Sequence, residues 1–333
     1  MPESQPRNLR VVRQINRPDI LLSVARVPNS DRLLVASSAG KVVELNAAQD
    51  APAAQDLAEH GRYVNSVRFA DGMVVSGGYD GRLIWWDLEN RRVERTVDAH
   101  TSRVRQIAVS SRCAIKLASV GDDMVCRVWD AEEGTLLHEL RGHAARTPQH
   151  FTSMLYACTF SPNGHYLATG DRVGHVIVWD VRTGQQVVTI ETPTLYTWDG
   201  VQRIRSIGGV RGLAFSPDGT HLAIGGVGQI GNVDALQGPS RVEVFDWQRR
   251  QRVLEFTGAQ GIVNRLIYHP QGQWLCAIGG GSNGLVMFYD VAGRTMLHQG
   301  TVPMHVHDAT FNEDCTTLYA VGHNKVAVLE LRA

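Results

Sequence analysis

The chain has 333 residues, with 33 Lys plus Arg balancing 33 Asp plus Glu, and 43% of it is hydrophobic. Zero formal charge argues against a dedicated nucleic-acid or anionic-membrane binder, because such proteins draw affinity from a basic excess, and leaves room only for a local basic patch. The first residues, "MPESQPRNLRVVRQINRPD", hold no apolar core of secretory length and no run reaches membrane-spanning length, so a cytoplasmic protein is expected. Five scattered cysteines (Cys113, Cys126, Cys158, Cys276 and Cys315) lack metal-ligand spacing and are odd in number, which points to reduced thiols.

In chain order, the first strand-like run is "LRVVRQI" (residues 9–15). It reads as the outermost strand of a unit with no strands before it. Next come "VNSVRF" (64–69), "MVVSGG" (73–78), "LIWWD" and "RVERTV", four short strands separated by turns. The stretch "CRVWDAEEGTLLHELRGH" (126–143) is a hairpin turning at Gly134. Ser-Pro-Asn-Gly at 161–164 and Ser-Pro-Asp-Gly at 216–219 are tight turns, with Pro presetting φ and Gly accepting a positive one. "KVAVLEL" (325–331) closes the series as an inner strand with nothing after it.

These strands recur with a period. Apolar runs ending in an acid or amide finish at Asn46, Asp87, Asp130, Asp180, Asp246, Asp290 and Glu330, spaced by 41, 43, 50, 66, 44 and 40 residues. A period just over forty with four strands per unit is the signature of a propeller array. On these endings, and on "SPNGHYLATGDRVGHVIVWD" (161–180) and "SPDGTHLAIGG" (216–226), the chain resembles the WD40-repeat β-propellers over essentially its whole length. The expected fold is all-β, a seven-bladed propeller over residues 1–333 in one domain, its last blade completed by residues 9–15. Length alone would predict about two domains.

The resemblance also implies a hydrogen-bonded row in each blade, running from a His through a strand Ser or Thr and a turn Asp to the strand Trp. Two units match fully: His60, Ser76, Asp80, Trp86, and His100, Ser119, Asp123, Trp129. A fourth unit has His143, Thr169 and Trp179 but Val173 where the Asp is expected, and the other units lack the row. Ser, His and Asp together also invite a catalytic-triad reading, but a row occurring twice in a repeat is structural.

Three other motifs resemble sites that carry chemistry. "GVGQIG" (226–231) is a literal G-x-G-x-x-G, but Gly238-Pro239 leaves no room for the helix a dinucleotide site needs. "IGGGSNG" (278–284) lacks the lysine and helix of a phosphate loop. "MHVHD" places His305, His307 and Asp308 near the central channel, the alternative being a metal site or a propeller enzyme, with His305 and His307 on one side of their strand.

Extra length falls at 144–153, about 194–209 and about 227–239. Given their positions between strands, all three insertions should emerge on one face. In the second, Asp199-Gly200 predicts a two-residue hairpin turn pairing Trp198 with Val201, Tyr196 with Arg203, Thr194 with Arg205, and Leu195 with Ile204. That register gives a projecting hairpin with an aromatic–arginine face, the residue types enriched at binding hot spots, the alternative being that the hairpin folds down and packs its aromatics on the fifth blade. The candidate partner-binding residues are Arg146, His150, Phe151, Tyr196, Trp198, Arg203 and Arg205. The expectation is therefore a non-catalytic scaffold for a protein or peptide partner, monomeric by itself, with no cofactor, metal, nucleic acid or membrane.

Overall fold

The computed structural model describes residues 6, 9–70, 72–110, 115–201, 204–231, 238–281 and 283–331. Cys113 and Arg203 lie outside them, as does the middle of the third insertion. The described chain is almost entirely antiparallel strand. Five four-stranded sheets follow one another: 64–98, 104–140, 155–191, 212–260 and 262–302. Strands Val64–Ala70, Met73–Gly78, Arg82–Asp87 and Arg92–Asp98 lie within a residue of their predicted bounds.

Within each sheet the burial gradient follows the sequence. The two central strands are apolar on both faces because a neighbouring sheet covers each side, and Leu83 to Trp86 are all buried. The outermost strand, such as Arg92–Asp98, is charged and largely exposed, which blunts its free edge. The tight turns form as read: Gly164 and Gly219 have φ of 71° and 73°, and their N–H groups donate to the carbonyls of Ser161 and Ser216 at 2.9 and 2.8 Å.

One expectation needs correction. Among the described residues the propeller has six sheets rather than seven, the five four-stranded ones and a sixth that is six-stranded, beside the two-stranded hairpin Tyr196–Asp199 and Arg205–Gly208. The order of the sixth is Val306–Phe311, Thr317–Leu331, Leu9–Arg26, Arg32–Ser37, Lys41–Asn46, Gln55–Glu59. Two strands in it are unusually long, Leu9–Arg26 at 18 residues and Thr317–Leu331 at 15. Each changes partner along its length. Leu9 to Asn16 pair with Leu331 to Lys325, and Leu21 to Arg26 pair with Ser37 to Leu33, so the backbone ladder continues, through register shifts at Val11/Arg13, Asn16/Ile20 and Leu21/Ser23, from the last unit into the first. The N-terminal strand does complete the C-terminal sheet.

Apolar clusters fill the space between neighbouring sheets. One joins Val75, Leu83 and Trp85 to Val104, Ile107 and Trp129, and another joins Val178 and Val188 to Phe215 and Trp247. Inside the six-stranded sheet a comparable cluster packs Ile15, Leu21, Leu33 and Val35 against Tyr319, Val321 and Val328. The innermost strands are also tied to one another by polar links. Ile107 N–H donates to Ser66 Oγ at 3.0 Å, and Cys158 N–H to Gln106 Oε1 at 2.6 Å. The four described cysteines are free and buried.

Candidate functional site

The predicted rows form. Trp86 Nε1 donates to Ser76 Oγ at 3.0 Å, Ser76 lies 2.8 Å from His60 Nε2, and His60 Nδ1 lies 3.1 Å from both Asp80 carboxylate oxygens. In the next sheet the same chain runs Trp129 to Ser119 (2.9 Å), Ser119 to His100 (2.8 Å) and His100 to Asp123 (2.9 Å). An indole N–H can only donate, so the serine accepts from Trp and passes its own proton toward His Nε2, while His Nδ1–H donates to the carboxylate. Each group satisfies the next. Ser76 and Ser119 are 0% exposed, so no substrate reaches either hydroxyl, and the triad reading fails on access.

The fourth unit corrects the sequence reading. Its row is complete, with Asp171 in place of a residue at position 173. His143 Nδ1 lies 2.9 Å from Asp171 Oδ2 and Nε2 lies 2.8 Å from Thr169 Oγ1, which accepts from Trp179 Nε1 at 2.8 Å. The equivalent positions in the other two rows are Gly78 and Gly121. A Cβ on Gly78 would stand 2.5 Å from both Asp80 Oδ1 and His60 Nδ1. The carboxylate therefore reaches the His either from the turn, over a glycine, or directly from the strand end. Burial opposes ionisation of Asp123 and Asp171. Hydrogen bonds from His100 and Arg127, and from His143 and His175, outweigh it and hold both carboxyls well below the ordinary range.

The three insertions meet, as their positions between strands require. Tyr196 Oη donates to Gln149 Oε1 at 2.6 Å, and the rings of Phe151 and Trp198 lie 5.2 Å apart, joining the first insertion to the second. Gln229 Nε2 donates to Tyr196 O at 2.9 Å, and Ile230 N–H donates to Thr197 Oγ1 at 3.0 Å, joining the third. Arg172 binds both Thr152 O and Ser206 O. Beneath them Thr194 Oγ1 donates to Glu243, which also holds Arg241 and Arg252, an anchor the sequence reading missed. The glycine-rich 226–231 segment serves this packing: a Cβ on Gly226 would stand 2.6 Å from Gly209 O.

The hairpin exists, but its predicted register is wrong. Tyr196 pairs with Gly208, Trp198 with Ser206, and Asp199 with Arg205. Asp199 Oδ1 accepts from Val201 N–H at 3.0 Å, and Ile204 takes φ +50°, which lengthens the turn beyond two residues. No arginine then stands across from Trp198 or Tyr196, so the expected aromatic–arginine face does not form among the described residues. Trp198 and Tyr196 are half-buried supports. The exposed part of the platform comprises Phe151 (43%), Val201 (92%) and Ile204 (61%), with Arg146, His150 and Arg205 around them.

The channel also departs from expectation. His305 and His307 share one side, and His323 joins them with ring centroids 4.7 to 5.2 Å apart. Asp308 faces away. It accepts from Ser23 Oγ at 2.8 Å and Val24 N–H at 3.2 Å, and it pairs with Arg68 and Arg265. His305, His307 and Asp308 therefore do not make one ligand set, and among the described residues no His, Cys, Asp and Glu group is arranged to hold a metal.

Burial, helped by the neighbouring His305 and His323, pushes His307 down to about 3. A histidine lowered on folding binds fewer protons folded than unfolded. Its stabilisation is therefore complete above about pH 6.5 and is lost as pH falls, at about 1.4 kcal/mol per pH unit. Urea midpoints are expected to show a loss of up to about 2 kcal/mol between pH 6.5 and 5, reduced in His307→Gln. An equal slope in the variant would place the titration elsewhere.

Sheets of four antiparallel strands, arrayed so that each innermost strand meets one channel, define a β-propeller. Residues 54–87, 91–130 and 134–180 match the family described as WD domain, G-beta repeat. Together with the repeated strand order and the His–Ser/Thr–Asp–Trp rows, that match shows WD40 repeats between residues 54 and 180 of this chain. It is similar to apoptotic protease-activating factor 1 of Rattus norvegicus, 34% identical over 115 residues, covering 34% of this chain and 8% of that protein. It is similar also to nuclear distribution protein PAC1 of Arthroderma otae, 31% identical over 45% of this chain and 33% of that protein. To small ribosomal subunit protein RACK1 of Caenorhabditis elegans it is 30% identical, over 50% of this chain and 48% of that protein. The chain spans less than half the length of each of these relatives. Among the described residues no helix is long and apolar enough to cross a membrane.

Proposed function

We propose that the chain is a non-catalytic interaction scaffold, a single propeller domain whose rim, built from the three insertions, binds a protein or peptide partner in the cytoplasm. We count the ring as seven wedges. In support, the six-stranded sheet carries its own internal apolar cluster, like those between separate sheets, and its two long strands each change partner midway.

The observation that carries the scaffold reading is the platform itself. Three loops from separate places in the chain interlock through Gln149, Tyr196, Trp198 and Gln229, and the order this creates presents Phe151, Val201 and Ile204 to solvent. Ile204 is β-branched and sits at φ +50°, a conformation such residues rarely adopt without a compensating use. Exposed apolar side chains on a rigid support, rimmed by Arg146, His150 and Arg205, fit the anatomy of a binding patch.

Affinity capture from the native cell tests this. Val201→Asp with Ile204→Asp alters exposed groups only, so the melting temperature should hold while the captured partner falls about tenfold or more. Retention of the same partner in the same amount by the folded double variant would refute the platform as the binding surface.

A further inference from the structure

The central channel carries more positive charge than the carboxylates among the described residues neutralise. Its cavity, about 240 Å3, is lined from the innermost strands: Arg68, Arg105, Tyr156, Arg211 and His307 are among its walls, with the carboxylate of Asp308. Arg105 is matched by Asp122, which it grips through Nε at 2.6 Å and Nη2 at 2.8 Å. Arg68 and Arg265 share the single carboxylate of Asp308. Arg211 has no carboxylate partner among the described residues. It stacks on Tyr156, its guanidinium carbon 3.8 Å from the ring centroid, and its buried Nε has no hydrogen-bond partner. Four guanidinium groups, three of them on the cavity wall, thus meet two carboxylates, Asp122 and Asp308, in a chain whose overall formal charge is zero.

A buried cation without a counter-charge is costly, so proteins seldom keep one unless something else pairs with it. Two further features point the same way. His307 Nε2 is buried with no partner, which leaves it a free donor in its Nε2–H tautomer. Burial and the nearby Arg105 and Arg172 also make the charged form of Arg211 harder to hold than usual. An anion between these groups would reverse both effects.

We infer that the channel is an anion site, in which Arg211, assisted by His307 and the Arg68 and Arg105 guanidiniums, holds a phosphate-sized oxyanion or a carboxylate. Asn65 and Asn264 also line the cavity and can serve as further polar partners. The innermost strands begin at the end from which the loops joining successive sheets emerge, so the cavity lies at the same end of the ring as the platform. The anion is therefore either free in solution or carried on a peptide. This inference stands whether or not the platform binds a partner.

The test is calorimetry and thermal melting on the full chain at low ionic strength, with inorganic phosphate as probe and chloride at matched ionic strength as control. Wild type should bind phosphate saturably near one to one and gain melting temperature with it. Arg211→Met should melt higher than wild type without anion, because the unpaired charge is gone, and should lose phosphate binding by about tenfold or more. Arg211→Lys, which retains the charge, should keep part of the binding. A phosphoserine peptide and its unphosphorylated form identify the source. Tighter binding of the phosphopeptide than of free phosphate assigns a peptide-borne group, and equal or weaker binding assigns a free anion. Absence of saturable binding by both phosphate and phosphopeptide would overturn the site, as would equal affinity in Arg211→Met.

Discussion

Asp123→Ala is expected to cost about 3–5 kcal/mol of folding stability, the range found when one partner of a buried, hydrogen-bonded charge pair is removed. Asp123 accepts from His100 Nδ1 at 2.9 Å and from Arg127 Nη1 at 2.9 Å, and the side chains of all three are at most 10% exposed. Deleting the carboxylate leaves the imidazole N–H and Arg127 Nη1 without their acceptor, while Glu139 still holds the other edge of the guanidinium through Nε at 2.9 Å. Asp80→Ala should cost less, about 1–3 kcal/mol, because Asp80 holds only His60 and neighbouring backbone groups and is itself more exposed. Urea unfolding at pH 7 with an unchanged slope measures both. The sign with pH is fixed by the lowered carboxyl of Asp123. Its contribution is present above about pH 4 and is lost as pH falls toward the folded value, so Asp123→Ala should flatten the most acidic part of the stability curve. Equal losses for the two substitutions would show that Arg127 adds nothing to the row.

Removing residues 1–16 should abolish a monomeric, cooperatively melting fold. Those residues include the Leu9 to Asn16 segment that pairs with Leu331 to Lys325, and they carry Ile15, which is 5% exposed in the cluster between the first and last units. Without them the strand holding Val326 and Val328 becomes an open, apolar edge, the kind that recruits another chain. The expected result is association or insolubility by size-exclusion chromatography. The milder Ile15→Ala keeps the ladder and should cost about 2–4 kcal/mol from lost apolar packing. A truncated chain that stays monomeric with an unaltered melting temperature would show that the ring holds without its closing strand.

Much of this architecture is written in local chemistry. Strand bounds, the turns at Gly164 and Gly219, the two rows ending in Trp86 and Trp129, and the facing of His305 with His307 follow from alternation, turn residues and repeat spacing. Asp171 is legible too, at the strand end, where the other two rows carry Gly78 and Gly121. There the sequence shows which backbone position must stay empty for a side chain arriving from the turn.

Other features depend on contacts between distant segments, which no local pattern encodes. The hairpin register is set by Asp199 capping Val201, by Gln229 holding the Tyr196 backbone, and by Phe151 seating Trp198, so the two-residue turn favoured by Asp-Gly gives way. The merging of the last and first units into one ladder depends on Leu9–Arg26 and Thr317–Leu331 running continuously past the predicted breaks. Asp308 turns from the histidines because Ser23 and Arg68, hundreds of residues earlier, offer better partners. The unmatched charge of Arg211 emerges only once the ring has gathered the innermost strands around one cavity. The sequence by itself determined the repeating strands and their internal hydrogen-bonded rows, because those depend on neighbours along the chain. Only the tertiary structure decided the rim's shape and the channel's charge, because closure brings together groups whose separation in sequence carries no signal.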